Sequence, residues 1–332
     1  MAADAPVPAI RVAVVNYNSG PWLARCLASL QAQTFRDFEV VVLDNASTDG
    51  SFPVALDDPR FTFVEAGENL GFAAGNNRAL CGARTRWLAL LNPDAMAEPD
   101  WLEHLMDEAK RHPRVRIFGS TQLRADDPAT LDGTGDCLGA WGLAWRSGFG
   151  RPRADAVPDG EMIAVCGAAL FIDRALFERL GGFEEKFFCY LEDVDLCLRA
   201  RLAGERVRQC ASAVVHHAGG ASTDGGRSAF SLTLGRRNLV WMLARNLPLP
   251  LLPGALAGNA VLTTLRAAMT PDAQQRTALL RGLAEGYADL LPVLAERRRI
   301  QSARRVGTVE VARWLEWNPL SMPSRRARVL KD

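Results

Sequence analysis

Several short motifs that define large enzyme classes are absent from this sequence. No GxGxxG follows the first predicted strand, where residues 14–20 instead read VVNYNSG, so a standard dinucleotide-binding turn is not expected. The absence of GxxxxGK[ST] disfavours a P-loop NTPase, and the absence of GxSxG disfavours an α/β-hydrolase. Any catalytic chemistry must therefore depend on other residues.

Paired cysteines, a secretory signal and a clean membrane-spanning run are also missing. The 7 cysteines form no CxxC pair, and their odd number favours buried free thiols in a reducing compartment. Residues 1–15 have no basic segment followed by a long apolar one, so no secretory signal is predicted. Residues 246–265 carry no charge, but prolines and a glycine interrupt them. We therefore expect an interfacial or re-entrant segment there rather than a spanning helix.

The composition is that of a folded chain with two unlike parts. The sequence has 332 residues, of which 48% are hydrophobic and 23% charged, with a net charge of +1. Residues 1–224 hold 22 basic and 31 acidic side chains, whereas residues 225–332 hold 17 and 7. The resulting net charges of −9 and +10 predict an acidic catalytic domain over residues 1–225 and a basic extension over residues 226–332.

Strand and helix signals alternate in the first third of the chain. Short apolar runs predict strands, and apolar residues at helical spacing predict helices. The predicted strands cover residues 10–15, 38–43, 61–64 and 87–91, and the predicted helices cover residues 21–33, 71–83 and 99–111. Because the strands are apolar throughout rather than alternating, we expect an α/β fold with a mostly parallel sheet and helices on both faces.

The remainder of the chain is more varied. Apolar runs predict strands over residues 162–172 and 206–215, and helices are predicted over residues 174–180 and 191–203. Residues 125–160 are rich in Gly, Asp and Pro, which predicts a long loop or irregular hairpin that could serve as a substrate lid. From residue 228 onward the pattern is helical only.

Polar clusters follow three of the predicted strands. They are Asn16-Tyr17-Asn18, Asp44-Asn45 and Asn92-Pro93-Asp94. Ligands of parallel sheets bind beyond the carboxyl ends of the strands, so we expect a single site there. Asp44 could accept hydrogen bonds from a nucleoside or cap a turn, and Asp94 could hold a divalent cation or belong to an ordinary turn.

Two further clusters could supply chemistry. Glu192 and Asp193 follow an aromatic segment, and a partly desolvated carboxylate at Asp193 would suit a general base. Asp195 is expected to pair with Arg199 one turn later. The pair His216-His217 ends a predicted strand, where a histidine could complete a metal site or have a structural role.

The order of these motifs resembles that of family 2 glycosyltransferases, and in particular their bacterial rhamnosyltransferase-like members. The match covers roughly residues 10–222. The motifs are VAVVNYN at 12–18, VLDNASTDG at 42–50, NLGFAAGNN at 69–77, LNPD at 91–94, GFEE at 182–185, EDVDL at 192–196 and HH at 216–217.

The resemblance implies a GT-A fold, a Rossmann-like mostly parallel sheet, and inverting transfer from a nucleotide sugar. It implies Asp193 as the catalytic base with Glu192 in support, and Mg²⁺ or Mn²⁺ at Asp94 and His216. Asn92 stands where the family's DxD-type motif has its first acid, which makes cation dependence less secure. The nucleotide-sugar-binding residues that it implies are Asn16, Tyr17, Asp44, Asn76, Asn77, Arg78, Asn92 and Asp94.

The resemblance also guides the expected substrates and location. We expect dTDP-L-rhamnose as donor, with UDP-linked sugars as the alternative, and a glycan or polyprenyl-diphosphate-linked acceptor in cell-surface polysaccharide synthesis. The alternatives are a nucleotidyltransferase and a catalytically weak GT-A scaffold. We expect a cytoplasmic protein without nucleic-acid binding. Its basic residues 240–328 either attach to an anionic membrane surface or form an ordinary packed helical extension.

Overall fold

The computed structural model describes residues 7–219, 228–318, 321–325 and 328–330. The predicted domain boundary at residues 225 and 226 lies outside the described residues, as do residues 319–320 and 326–327 of the predicted membrane-binding segment. The division into two domains therefore stays a prediction.

Strands and helices alternate through the first part of the described chain, as predicted. The strands are β1 (Ile10–Asn16), β2 (Phe38–Asp44), β3 (Phe61–Glu65), β4 (Trp87–Leu91), β5 (Ala95–Ala97), β6 (Val115–Arg124), β7 (Leu131–Gly133), β8 (Asp136–Leu138), β9 (Ala144–Arg146), β10 (Gly160–Glu161), β11 (Ala169–Asp173) and β12 (Arg206–His217). The helices of this part are α1 (Trp22–Gln31), α2 (Gly71–Leu80), α3 (Trp101–Arg111), α4 (Arg174–Leu180) and α5 (Glu192–Leu202).

The remaining helices lie in the described residues from 228 onward. They are α6 (Ala229–Asn246), α7 (Leu252–Met269), α8 (Ala273–Ala288), α9 (Leu290–Ser302), α10 (Thr308–Trp314) and α11 (Ser321–Ser324). The helical character predicted from residue 228 onward is confirmed.

One large mixed sheet organises the fold. Its order is β10-β12-β6-β11-β4-β1-β2-β3. Strands β1 to β4 pair in parallel and β12 pairs in parallel with β6, whereas β11 lies antiparallel between β4 and β6. The parallel sheet expected from the first four apolar runs is confirmed. β6 was not predicted because it buries Ser120, Thr121 and Gln122, which interrupt its apolar pattern.

Apolar side chains pack on both faces of the sheet, as predicted. Leu23 and Leu27 of α1 and Trp101 of α3 belong to the cluster on one face, and Leu196 of α5 and Leu243 of α6 belong to the cluster on the other. Since α5 and α6 share a core, the first of the C-terminal helices packs directly on the helix that carries Glu192 and Asp193.

The predicted strand over residues 162–172 is wrong over residues 162–168, because the strand β11 begins only at Ala169. The backbone of this segment leaves the sheet between β10 and β11. There the Met162 amide donates to the Val207 carbonyl and the Asp136 amide donates to the Ala164 carbonyl, both at 2.9 Å. The segment is apolar because it is buried between elements, and an apolar run by itself does not distinguish such a segment from a strand.

The predicted hairpin within residues 125–160 is confirmed, but its position differs from that of a lid. β8 and β9 pair as an antiparallel hairpin, and its neighbours Asp132, Thr134 and Asp136 are buried. This segment therefore forms part of the interior wall of the molecule. All seven cysteines are free thiols, and five of them are buried, as predicted: Cys26, Cys137, Cys166, Cys197 and Cys210. The prediction of burial is wrong for Cys81, which is exposed, and Cys189 is half-buried.

In the described residues, no helix combines the length and the apolar character needed to cross a bilayer. The uncharged segment 246–265 instead divides between the end of α6 and most of α7. Helix α8 ends at Ala288, and Pro292 lies in the first turn of α9, where proline is tolerated.

Candidate active site

The ends of β1 and β2 lie side by side and hold the loop that follows β2. Asn16 is paired with Asp44 in the sheet register, and its Nδ2 donates to Asp44 Oδ1 at 2.8 Å. The Asp44 carboxylate also accepts from the Ser47 amide at 2.9 Å and from the Ser47 hydroxyl at 2.6 Å. The turn-capping interpretation of Asp44 is therefore confirmed, and Tyr17 lies beside it, 37% exposed.

The three polar residues expected from α2 point in different directions. Asn76 is buried and donates within its own helix to the Phe72 carbonyl. Asn77 bonds both the amide and the carbonyl of Phe183 at 2.9 Å, and Arg78 donates to the Ala66 carbonyl at 3.2 Å. Asn77 thus fastens a loop away from the strand ends, whereas Arg78 reaches the carboxyl end of β3, where the Ala66 amide also donates to the Asp44 carbonyl at 2.8 Å.

A chain of four buried or half-buried charged side chains begins at Asp94. Asp94 Oδ1 lies 3.2 Å from His217 Nε2, and His217 Nδ1 lies 2.8 Å from Asp132 Oδ2. Arg146 Nη1 donates to the same Asp132 oxygen at 2.5 Å. We call Asp94, His217, Asp132 and Arg146 the site network. Asn92 joins it, with Nδ2 3.3 Å from His217 Nε2.

The histidine at this network is His217 and not His216, which we favoured from the sequence. Successive residues of a strand point to opposite sides of the sheet. His216 accordingly lies away from Asp94, with its Nε2 2.7 Å from Glu98 Oε1. The choice between adjacent histidines needed the exact end of β12, which sequence patterns do not give.

The site network controls the protonation of its histidine. Although burial disfavours the imidazolium, Asp94 and Asp132 raise the pKa of His217 to about 9. The Asp132 contact also fixes which ring nitrogen faces Asp94, as second carboxylates commonly do for metal-binding histidines.

The Asp193 carboxylate is held at the start of α5. Its Oδ2 accepts from the Gly167 amide at 2.7 Å, and its Oδ1 accepts from the Val194 amide at 2.8 Å. A Cβ on Gly167 would come within 3.3 Å of Asp193 Oδ2, so glycine permits this close approach. Burial raises the pKa of Asp193 against the opposing effect of these amides and of Arg146.

Two other acids share this environment. Burial and the Asp193 charge raise the pKa of Asp136 to about 7. Burial, followed by the Asp193 charge, raises the pKa of Glu192 well above its usual range. A group of carboxylates with raised pKa values is typical of acid–base sites.

Arg146 connects the acids at Asp193 with the site network. Burial opposes its charge, but Cys166 and the carboxylates of Asp132, Asp136 and Asp193 raise the pKa of its guanidinium. Sequence analysis missed Asp132, Asp136 and Arg146 because they lie in the Gly-rich segment that we assigned to a loop. The repeated aspartates of that segment were the available signal.

The donor set at Asp94 and His217 fits a divalent cation. A carboxylate oxygen and an imidazole nitrogen that face each other are ligands that Mn²⁺ accepts, and Mg²⁺ is commonly held by one or two carboxylates together with substrate phosphates. Another acidic group among the described residues, Glu108, Asp159 and Cys210, fits less well. Arg208 and Arg111 already pair with the Glu108 carboxylate at 2.6 and 2.7 Å.

Comparisons with known proteins identify the family of this chain. The family model described as "Glycosyl transferase family 2" matches residues 11–181. An N-acetylglucosaminyl-diphospho-decaprenol L-rhamnosyltransferase from Mycobacterium tuberculosis is 30% identical over 233 residues, which cover 62% of this chain and 75% of the relative. The O-antigen biosynthesis protein RfbC from Myxococcus xanthus is 32% identical over 218 residues, 61% of this chain and 17% of the relative.

Solved structures show the fold. The mannosyltransferase PcManGT from Pyrobaculum calidifontis, in complex with GDP-Man and Mn²⁺, has a TM-score of 0.52 at 21% identity and covers 90% of this chain and 86% of its own. Residues 1–349 of S. aureus TarS have a TM-score of 0.54 at 15% identity and 93% coverage of both chains. The expected GT-A fold is thereby confirmed.

Proposed function

The chain belongs to glycosyl transferase family 2, and on that premise we propose that it transfers L-rhamnose from dTDP-L-rhamnose to a polyprenyl-diphosphate-linked glycan, with inversion at the anomeric carbon. The observation that carries the proposed chemistry is the half-buried Asp193 carboxylate. Two backbone amides orient it, and Arg146 connects it to the Asp94–His217 pair. The choice of sugar and acceptor is supported by the mycobacterial rhamnosyltransferase, which is similar over most of its length.

Asp193 is the proposed general base. It takes the proton from the acceptor hydroxyl as the oxygen attacks the anomeric carbon from the side opposite the nucleoside diphosphate. A raised pKa makes its carboxylate a better proton acceptor than an ordinary aspartate. Burial raises the pKa of Glu192 well above its usual range. Its side chain supports the base by helping to exclude water from this environment.

Asp94 and His217 are the proposed ligands of Mg²⁺ or Mn²⁺, with Asn92 beside them. The ion would supply positive charge where the leaving diphosphate gains negative charge. Asp132 holds His217 in the required orientation. We expect Asp94→Ala to weaken cation-dependent nucleotide binding, whereas titration with nucleotide and Mg²⁺ identical to that of the parent would leave Asp94 as a turn residue.

The nucleoside is proposed to bind at the ends of β1 and β2. Asn16 and Asp44 order the loop there, and the half-exposed Tyr17 offers a ring for the base. Asn76 lies buried in the adjacent helix α2. Asn77 contacts a loop at another place, so we assign it no direct role toward the donor. Arg78 donates to the Ala66 carbonyl at the end of β3 and stays a proposed donor-binding residue.

Attachment to an anionic membrane is proposed for the basic extension. Several large apolar side chains near and along α7 are exposed: Leu249, Val261, Leu265 and Met269. Arg266 lies among them on the exposed side of α7, the arrangement that favours anionic lipid surfaces. Failure to sediment with anionic vesicles at moderate salt would contradict this proposal.

The transferase proposal is tested with a panel of nucleotide sugars and the Asp193→Asn variant. We expect dTDP-L-rhamnose to support transfer, and we expect the variant to lose about 10²–10⁴-fold in kcat, as is typical for a positioned general base. The donor Kd of the variant should remain near that of the parent. Turnover retained by Asp193→Asn would overturn the base assignment, and use of UDP-linked sugars alone would overturn the choice of donor.

A further inference from the structure

The segment that leads into Glu192 and Asp193 has a strained backbone. Phe188, Tyr190 and Leu191 have φ angles of 64°, 75° and 70°. This left-handed region is costly for residues with a side chain, and such strain persists only where surrounding contacts enforce it. The strained segment, residues 187–191, therefore needs an external restraint.

Asn238 of α6 provides that restraint. Its Nδ2 donates to three backbone carbonyls, those of Phe187 at 2.9 Å, Cys189 at 2.8 Å and Tyr190 at 2.9 Å. The side chain is fully buried. Because two amide hydrogens serve three carbonyls that converge on one atom, the contact fixes the path of the strained segment.

The orientation of the Asn238 amide is itself determined. Its Oδ1 accepts from Arg237 Nε at 3.0 Å, so Nδ2 must face the carbonyls. The Arg237 guanidinium lies over the Trp241 ring, 4.4 Å from its centroid, and donates to the Phe187 carbonyl at 3.3 Å. The orientation of the restraint is thus set by neighbouring residues of α6.

Helix α6 also contacts the chain just after Asp193, the proposed base. Asp195 Oδ1 accepts from Arg245 Nε at 2.9 Å and from Asn246 Nδ2 at 2.7 Å. Helix α6 therefore contacts the backbone before Glu192 through Asn238 and the side chain after Asp193 through its last turn. Glu192 and Asp193 lie between these two contacts.

We propose that Asn238 is a positioning residue for Asp193, so that α6 of the basic extension is part of the catalytic machinery. The inference rests on the proposed role of Asp193 as the base. Asn238 acts through the backbone of residues 187–191 and does not touch the reacting atoms. Losing its donors lets the strained segment relax toward allowed backbone angles and moves the start of α5 away from the attacking hydroxyl.

Variants of Asn238 in the full chain test this role. Asn238→Asp keeps the shape but places a carboxylate against three carbonyl oxygens. Asn238→Ser and Asn238→Ala form a pair that differs only in one hydroxyl donor. The matched control is Asn259→Asp, since Asn259 is equally buried and donates to the Gly142 carbonyl at 2.9 Å, away from the strained segment.

The measurements are thermal unfolding, the donor Kd by calorimetry, and kcat with saturating donor and acceptor. A misplaced catalytic group can cost about 100-fold, so we expect a kcat loss of about that size in Asn238→Asp with a donor Kd close to the parent value. Asn238→Ser should retain about fivefold more kcat than Asn238→Ala, the effect of one hydrogen bond. Asn259→Asp should keep most of the parent kcat.

The following outcomes would overturn the inference. One is a parental kcat in folded Asn238→Asp and Asn238→Ala, and another is an equal loss of kcat in Asn259→Asp. If Asn238→Asp does not fold, equal kcat values in the Ser and Ala variants would be the contradicting result. Turnover retained by Asp193→Asn would remove the premise and the inference together. An inactive Asp193→Asn beside fully active Asn238 variants would remove the inference alone.

Discussion

Two buried networks of charged side chains adjoin helix α5, and they differ in how their charges are matched. The site network of Asp94, His217, Asp132 and Arg146 leads toward Asp193. The second, which we call the helix network, joins Asp195 to Arg199 at 2.7 Å and to Arg245 at 2.9 Å. Its members are Glu184, Asp195, Arg199, Arg245 and Glu296.

The paired acids of the two networks differ in protonation from the acids that adjoin the site network. Within the site network, burial opposes ionisation, but Arg146 and His217 hold the pKa of Asp132 below its usual range. In the helix network, burial opposes ionisation, but Arg199 and Arg245 hold the pKa of Asp195 below its usual range. Near the site network, burial and neighbouring carboxylates raise the pKa values of Asp136 and Glu192. Buried acids that pair with an arginine or a histidine keep their ionisation and join elements together, whereas acids that lie near other carboxylates, as Asp136 and Glu192 do, bind protons more readily.

The largest effect should come from breaking the helix network. Arg245→Met removes the guanidinium that contacts Asp195, Glu184 and Glu296. These carboxylates then lack their shared positively charged partner. Removing one partner of a buried ion pair costs about 3–5 kcal/mol of unfolding free energy, measurable by urea denaturation. Asp132→Asn, in the site network, should cost clearly less stability. Equal stabilities of the Arg245→Met variant and the parent would show that the two networks do not differ in this way.

The paired histidines test the site network itself. His217→Ala removes the ring between Asp94 and Asp132, so we expect cation-dependent binding of the nucleotide sugar to weaken about 10–100-fold. His216→Ala is the matched control, because His216 contacts Glu98 instead, and should bind like the parent. Titration calorimetry with and without Mg²⁺ or Mn²⁺ measures both. If His216→Ala weakened cation-dependent binding and His217→Ala did not, His216 would be the metal ligand.

The smallest effect should be a displacement of a pH profile. The proposed base must be ionised, so kcat should rise with pH through a pKa above that of an ordinary aspartate. Asp136 and Asp193 raise each other's proton affinity, as the raised pKa of Asp136 indicates. Asp136→Asn removes that repulsion, so the acidic limb of log kcat against pH should move to lower pH. A shift to higher pH would contradict the sign of this coupling.

Local patterns were sufficient for much of the fold. The first four parallel strands and the helices between them were predicted because each strand is apolar and each helix has apolar residues at helical spacing. The strand β6 was missed because its buried polar residues break the pattern, and residues 162–168 were assigned to a strand because buried irregular segments are equally apolar. In both places the backbone conformation depends on contacts with segments that are distant in the sequence, and not on the local residue types.

The candidate site likewise contains residues that could be predicted from the sequence and residues that could not. Asp94, Asp193 and the histidine pair could be identified because their motifs are contiguous. Asp132, Asp136 and Arg146 could not, since their importance comes from carboxylates and an imidazole that approach them from distant segments. The same is true of Asn238, whose three acceptors lie 48 to 51 residues away in the chain.

The sequence by itself determined the family, the α/β pattern and the acids able to perform the chemistry, because these depend on residue type at short spacing. Only the tertiary structure decided which histidine faces Asp94, which aspartates share the buried environment of Asp193, and that α6 restrains the segment leading to it. Those properties depend on burial and on distances between residues far apart in the chain, which set the pKa values and the backbone strain.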